Sequence, residues 1–223
     1  MEMFDFGNGS GPVPAHRHRN PNGSLGGWVA NTASVAETVM VGRFAKVYGN
    51  AQVFGNAKLY GEARVYGEVQ VSGTARVFGN ARLYGSALVG DEAQVYGSAR
   101  VFDEARVYDQ AQVSGEAQLY GSARIFDEAQ VYGKARVFDE AQVYDQAQVF
   151  KDAQVYNHAE VFGFAQVYGN AQVSGTANVF GNAVICENAK VLGHVRDVVV
   201  RGSDKVYVSS ALPVCSAPSV LGW

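Results

Sequence analysis

Three sets of side chains in this chain could do chemistry. The histidines His16, His18, His158 and His194 offer general bases or metal ligands. Carboxylates recur at intervals of 18 residues, in Asp91-Glu92, Asp109-Gln110, Asp127-Glu128 and Asp145-Gln146. They offer oxygen ligands for a weakly held calcium ion, or a negative rod for a basic partner. Basic residues stand two positions before an aromatic in Lys46/Tyr48, Arg64/Tyr66, Arg82/Tyr84, Arg100/Phe102 and Arg136/Phe138. Interleaved cations and rings are the composition of a platform for single-stranded nucleic acid. Other signatures are missing. There is no Ser-His-Asp order and no dinucleotide fingerprint, and Cys186 and Cys215 form no metal spacing or disulfide framework.

Apart from His16, His18 and Cys215, these residues sit inside one repeated phrase, which must position them. An aliphatic residue occupies Val29, Val35, Val41, Val47 and every sixth position to Val191, giving 28 hexads without insertion or deletion. A period this strict means a solenoid. Within a hexad such as Ala51-Gln52-Val53-Phe54, Ala and Val are two apart, which is strand spacing. The Ala/Val side must face inward, because the other side would bury Gln, Arg or Lys in every unit. Gly, Asp or Asn then marks a corner, where positive φ is tolerated. Over the 25 hexads from 47 to 191, the first corner residue is Gly in 16 and Asp in six. The regularity predicts a corner in every hexad. The glycines are therefore corner residues and not a phosphate loop.

Three strands and three corners close a triangular coil of 18 residues, with successive coils paired in parallel about 4.8 Å apart. The expected fold is all-β, a single-stranded parallel β-helix of about nine coils, roughly 45 Å long. Val and Ala fill the tube and leave no space for a ligand inside. The motif, an aliphatic residue followed four positions later by a small one (Val47 with Ala51, Val53 with Ala57, Leu59 with Ala63), resembles that of the hexapeptide-repeat superfamily. It covers about three-quarters of the chain. The resemblance implies a left-handed coil; general chirality rules would favour right-handed crossovers. The segment Gly26-Gly27-Trp28-Val29 followed by Tyr-Gly-Asn-Ala repeats is also similar to repeat proteins of enterobacteria and prophages. That similarity implies a bacterial or phage source and brings no activity with it.

The superfamily's acyltransferases and carbonic anhydrases raise the question of catalysis. The acyltransferases use a histidine base at a subunit boundary and a loop that interrupts the coils; here the hexads run on unbroken. The carbonic anhydrases hold zinc with three histidines. His158 and His194 are 36 residues apart, two coils on this reading, which puts them about 9–10 Å apart. Two ligands of one zinc lie only about 3–4 Å from each other. No catalytic, cofactor or metal residues are therefore assigned, and no cofactor is expected. His16 and His18 read as part of a basic cap loop.

The surface remains. Sorted by threes, the hexads give three faces, and the residue after the aliphatic is Tyr or Phe in 19 of the 25 units from 47 to 191. Stacked rings can shield one another, with Arg lying over them. Apolar stripes of this length also suggest that one face packs on another chain. The candidate interaction surface is Arg64, Tyr66, Arg82, Tyr84, Arg100, Phe102, Arg136 and Phe138, with Asp91, Asp109, Asp127 and Asp145 along the corners. The partner is expected to be a protein or a second copy rather than nucleic acid, since the net charge is only −3. Scattered Thr32, Thr38, Thr74 and Thr176 form no flat ice-binding rank.

The chain of 223 residues is 48% hydrophobic, yet no apolar run suits a membrane helix, and the start lacks a signal-peptide pattern. The expected location is the cytoplasm or a phage virion. The expected division is an N-terminal cap (1–28, with Trp28 plugging the tube), the β-helix (29–196), and a C-terminal hairpin cap and tail (197–223). The expected function is a non-enzymatic structural or interaction rod. The alternatives are an inhibitor presenting an acidic, aromatic rod to a nucleic-acid-handling protein, and an acyltransferase.

Overall fold

The computed structural model describes residues 2–207. Residues 208–223, which include Cys215 and the tail expected to pack on the cap or a partner, lie outside that range. Among the described residues there are strands and turns but no helix.

Each hexad folds in the same way. Its two central residues form a short strand, as in Gln94–Val95 and Gln112–Val113, and those two strands pair in parallel with Gln94 opposite Gln112 and Val95 opposite Val113. Identical residue types stack because the pairing offset equals the coil length. From Ala45 to Val191 the inward Ala, Val, Leu and Ile side chains are 0–1% exposed. The core is therefore a continuous aliphatic column, with two small or medium side chains contributed per strand.

Corners are fixed by backbone geometry. After the aromatic, the first corner residue takes positive φ, for example Gly97 at 70° and Gly115 at 67°. Stacking adds a second constraint there. A Cβ on Gly115 would meet the backbone N and O of Gly133 at 2.8 Å. The second corner residue ties the coils together, as Ser98 N–H donates to the Gly115 carbonyl at 2.7 Å. Where glycine is replaced, Asp usually takes its place, as at Asp109 and Asp145 (both φ 55°). A short polar side chain is the type best suited to this region after glycine.

The strands form three sheets of 13, 10 and 10 strands, one along each side of the triangle. The first face carries Val47, Val65 and their successors, the second Val53 and its successors, and the third Leu59 and its successors. The fold is thus an all-β parallel β-solenoid of about ten turns rather than the expected nine.

The extra turn comes from the segment assigned to a hairpin cap. Its two strands exist, at Val199–Val200 and Lys205–Val206, but they do not pair with each other. Each pairs in parallel with the preceding coil, Ile185 opposite Val200 and Val191 opposite Val206. Shortened corners explain this. Val179 stands opposite Val195, only 16 residues on, and the next two pairs are 15 residues apart. The chain drops residues at the corners yet keeps an aliphatic residue pointing inward, so the parallel ladder continues.

The N-terminal end is built differently. Strands β1 (Glu2–Phe4), β2 (Val13–Arg19) and β3 (Leu25–Ala30) form an antiparallel meander on the first face, and β3 also opens the first coil by pairing with Lys46–Val47. The expected basic loop around His16 and His18 is therefore a strand. Trp28 is not a plug. It lies in register with Lys46 on the outside of the first face, stacked on Phe4 at 4.4 Å with Arg17 over its ring at 5.4 Å. Two buried polar residues of the cap satisfy the edge of the first coil. Asn20 accepts from Val41 N–H at 2.8 Å and donates to the Val41 carbonyl at 3.2 Å, so its amide imitates a neighbouring strand. His18 Nε2–H donates to the Val39 carbonyl at 3.0 Å. An edge strand that would otherwise invite pairing is closed by two side chains.

Candidate interaction surface

The solenoid turns the periodic candidates into columns. On the first face Arg64, Arg82, Arg100, Gln118 and Arg136 occupy the same outward position on successive coils, each in register with the next. Arg82, Arg100 and Arg136 are exposed. Like charges placed opposite each other across strands repel, and Gln118 interrupts the run. Neither of the two ion pairs among the described residues, His158 with Glu140 at 3.3 Å and Arg196 with Asp197 at 3.1 Å, involves an arginine of this column. An open groove of about 510 Å³ runs beside it, with Arg100, Gln118 and Arg136 along one wall and Glu116, Lys134 and Asp152 along the other.

One position past the aliphatic, the rings of the first face stack into a single column. It starts in the cap at Phe6, passes through Tyr48, Tyr66, Tyr84, Phe102, Tyr120 and Phe138, and ends at Tyr156, with centroids 4.7–5.3 Å apart. The second face carries a shorter column from Tyr108 to Phe180. The third carries two pieces, Phe78 on Tyr96 and Tyr132 through Phe150 to Tyr168. Rings inside a column are half-buried against each other, whereas Phe54, whose neighbour on the next coil is Ser72, is exposed.

The arginines do not lie over these rings, contrary to expectation. Inside a column both faces of a ring are occupied by other rings, so no π-face is free for a cation. Cations cover terminal rings instead. Arg196 caps Phe180 at 5.7 Å and Lys151 caps Tyr168 at 5.1 Å. This is where a quadrupole face remains available.

Burial in the columns also holds the phenols neutral. It pushes Tyr84 and Tyr120 above the usual tyrosine range, with nearby charges adding or subtracting. Tyr144 is pushed up to about 12, first by burial and then by Glu160, whose carboxylate accepts the Tyr144 hydroxyl at 3.2 Å.

Asp91, Asp109, Asp127 and Asp145 form a separate ridge, at the corner between the second and third faces. Stacked carboxylates repel one another, and each needs solvent, a cation or a hydrogen-bond donor beside it. The structure supplies a donor. Asp109 N–H donates to Asp91 Oδ2 at 3.4 Å, Asp127 N–H to Asp109 at 3.4 Å, Asp145 N–H to Asp127 at 3.2 Å, and Gly163 N–H to Asp145 at 3.0 Å. The first corner residue has no backbone acceptor for its N–H, and the aspartate one coil earlier provides one. The same device recurs at Asp103 and Asp139. Among the described residues no group of three or more His, Cys, Asp or Glu side chains is placed to hold a metal ion.

The twelve candidate residues thus fall on two surfaces: eight on the first face and four on the acidic ridge. Tyr120 and Gln118 complete the first-face columns, and Phe4, Phe6 and Trp28 extend its aromatic surface through the cap, which no periodic count would reveal. His158 and His194 are not equivalent. His158 stands on a corner, while the shortened turn before Val195 moves His194 to the position next to the aliphatic, where Asn178 precedes Val179. No protein-family model matches the chain, and no curated protein matches it.

Proposed function

We propose that the protein is a non-enzymatic rod that presents fixed rows of side chains to a protein partner, as a structural or interaction module. The observation that supports this reading is the uninterrupted core: from Ala45 to Val191 each inward position is filled by an aliphatic side chain at 0–1% exposure. Recognition then takes place on the outside, where the coil spacing sets the distance between like groups. The resemblance to enterobacterial and prophage repeat proteins favours a bacterial or phage-encoded source, acting in the cytoplasm or in a virion. A second reading, an inhibitor of a basic, nucleic-acid-handling protein, is favoured by the Asp ridge, whose carboxylates are held in line on four successive coils.

The test combines capture on the immobilised chain with native mass determination and an assay for consumption of acyl-CoA. The proposal expects a stoichiometric protein complex and no turnover. Turnover that falls when His158 is replaced by Ala would overturn it in favour of acyl transfer.

A further inference from the structure

The first face is an unpartnered sheet face with exposed, unpaired arginines. Its charge complement lies on the same molecule. Arg82 and Asp91 are nine residues apart, as are Arg100 and Asp109, and Arg136 and Asp145. Nine residues are half of an 18-residue coil. A half-turn from the middle of one side of a triangle leads to the opposite corner. The basic column and the acidic ridge therefore run along diametrically opposed sides of the rod, at the same coil levels and with the same axial repeat.

Neither row has satisfied the other within one chain, since the tube separates them. A second copy set alongside, in the same orientation and without axial stagger, brings the ridge of one rod to the basic face of the next. We propose that the chain associates laterally with copies of itself, the Asp91–Asp145 ridge of one rod docking on the Arg82–Arg136 column of its neighbour. The proposal deepens the reading of the protein as an interaction rod by naming the partner.

Several features favour this occupant. The spacing of the two rows is identical by construction, as both follow the coil repeat. The carboxylates are already ordered by the backbone N–H groups that bind them, so little side-chain freedom is lost on docking. The contact is heterologous: each rod uses its face for one neighbour and its ridge for another. Such contacts do not close into a dimer and generate an open series.

Two variants test this. The first neutralises the ridge, with Asp91→Asn, Asp109→Asn, Asp127→Asn and Asp145→Asn. Asn157 already takes positive φ at an equivalent corner position, and an Asn side-chain oxygen still accepts the next N–H. The second neutralises the face, with Arg82→Gln, Arg100→Gln and Arg136→Gln. Gln118 already stands in that column. Circular dichroism and thermal melting establish that both variants fold.

In sedimentation at low ionic strength, the wild-type chain is expected to grow past the dimer as concentration rises, and to become monomeric in high salt. Each variant alone is expected to remain monomeric. An equimolar mixture of the two is expected to stop at a one-to-one dimer, because only one intact face can meet one intact ridge. A wild-type monomer at all concentrations in low salt overturns the proposal. So does a closed wild-type dimer, or self-association that survives in either variant. A monomer that still captures a different protein would sink this inference and leave the interaction-rod reading standing.

Discussion

Leu119 provides a direct test of which side of each strand is buried. It is 0% exposed and lies between Val101 and Val137 on the neighbouring coils. Replacing it with Ala removes three buried carbon atoms. At about 0.8 kcal/mol for each, the transfer loss is about 2.4 kcal/mol. The core here is a chain of Ala and Val side chains held by two flanking ladders, so it collapses poorly around a void. The cavity term therefore raises the expected cost to about 3 kcal/mol. The adjacent Gln118 points outward, and Gln118→Ala is expected to change stability by less than about 0.5 kcal/mol. Urea unfolding followed by far-ultraviolet circular dichroism gives both values from the shift in midpoint. Because each coil touches only its neighbours, the damage is expected to be local, and a broadened transition would accompany the shift. Equal costs for the two substitutions would refute the inward and outward assignment.

Other perturbations probe the corners, the columns and the cap. Gly115→Val places a β-branched side chain at φ 67° against the Gly133 backbone and is expected to cost roughly 3 kcal/mol or more, read as a lowered urea midpoint. A loss below about 0.5 kcal/mol would show that the corner is looser than described. Tyr144 has a folded pKa raised to about 12 against 10 unfolded, so its contribution is fully present below pH 10 and is lost between pH 10 and about 12. Thermal melts across that window should fall less steeply for Tyr144→Phe than for the wild type; identical slopes would contradict the assignment. His18 is shifted the other way, below 6.5, by burial, opposed by its bond to the Val39 carbonyl and reinforced by His16. Its unfolded form protonates first, so stability is whole above pH 6.5 and declines as the pH drops below that value. His18→Gln should flatten the decline between pH 6.5 and 5, and a slope unaltered by the substitution would count against the role of His18 at the edge of the cap.

The coils were legible in the sequence because two periods coincide. Ala and Val two apart set the strand, and recurrence at six sets the corner, so one scan gives both face and turn. The ends were not legible for reasons of phase. Val195, Val200 and Val206 all serve as inward residues, but shortened corners put them off the count of six, and the last turn read as a hairpin. At the other end, the β1–β3 meander has no repeat to follow, and Trp28 looked like a plug when its strand register places it outside. The alignment of the candidate residues into rows was legible from the period, but their contacts were not. The partner of Asp109 is a backbone N–H 18 residues on, invisible to any local reading. Ring-on-ring stacking excludes the arginines from the π-faces, which residue types alone do not reveal.

Residue-resolved amide exchange tests the stacked coil most directly. N–H groups before the aliphatic, at the aromatic and at the second corner residue all donate to the next coil, as Gln112, Ser114 and Glu116 do. They are expected to exchange slowly in every hexad from Lys46 to Asn170. First corner residues are expected to exchange fast, except those below an aspartate, such as Asp127, Asp145 and Gly163. A protection pattern that repeats every six residues without a gap is the predicted result. Several successive unprotected hexads inside that span, or fast exchange at Gln112 and Ser114, would contradict the solenoid.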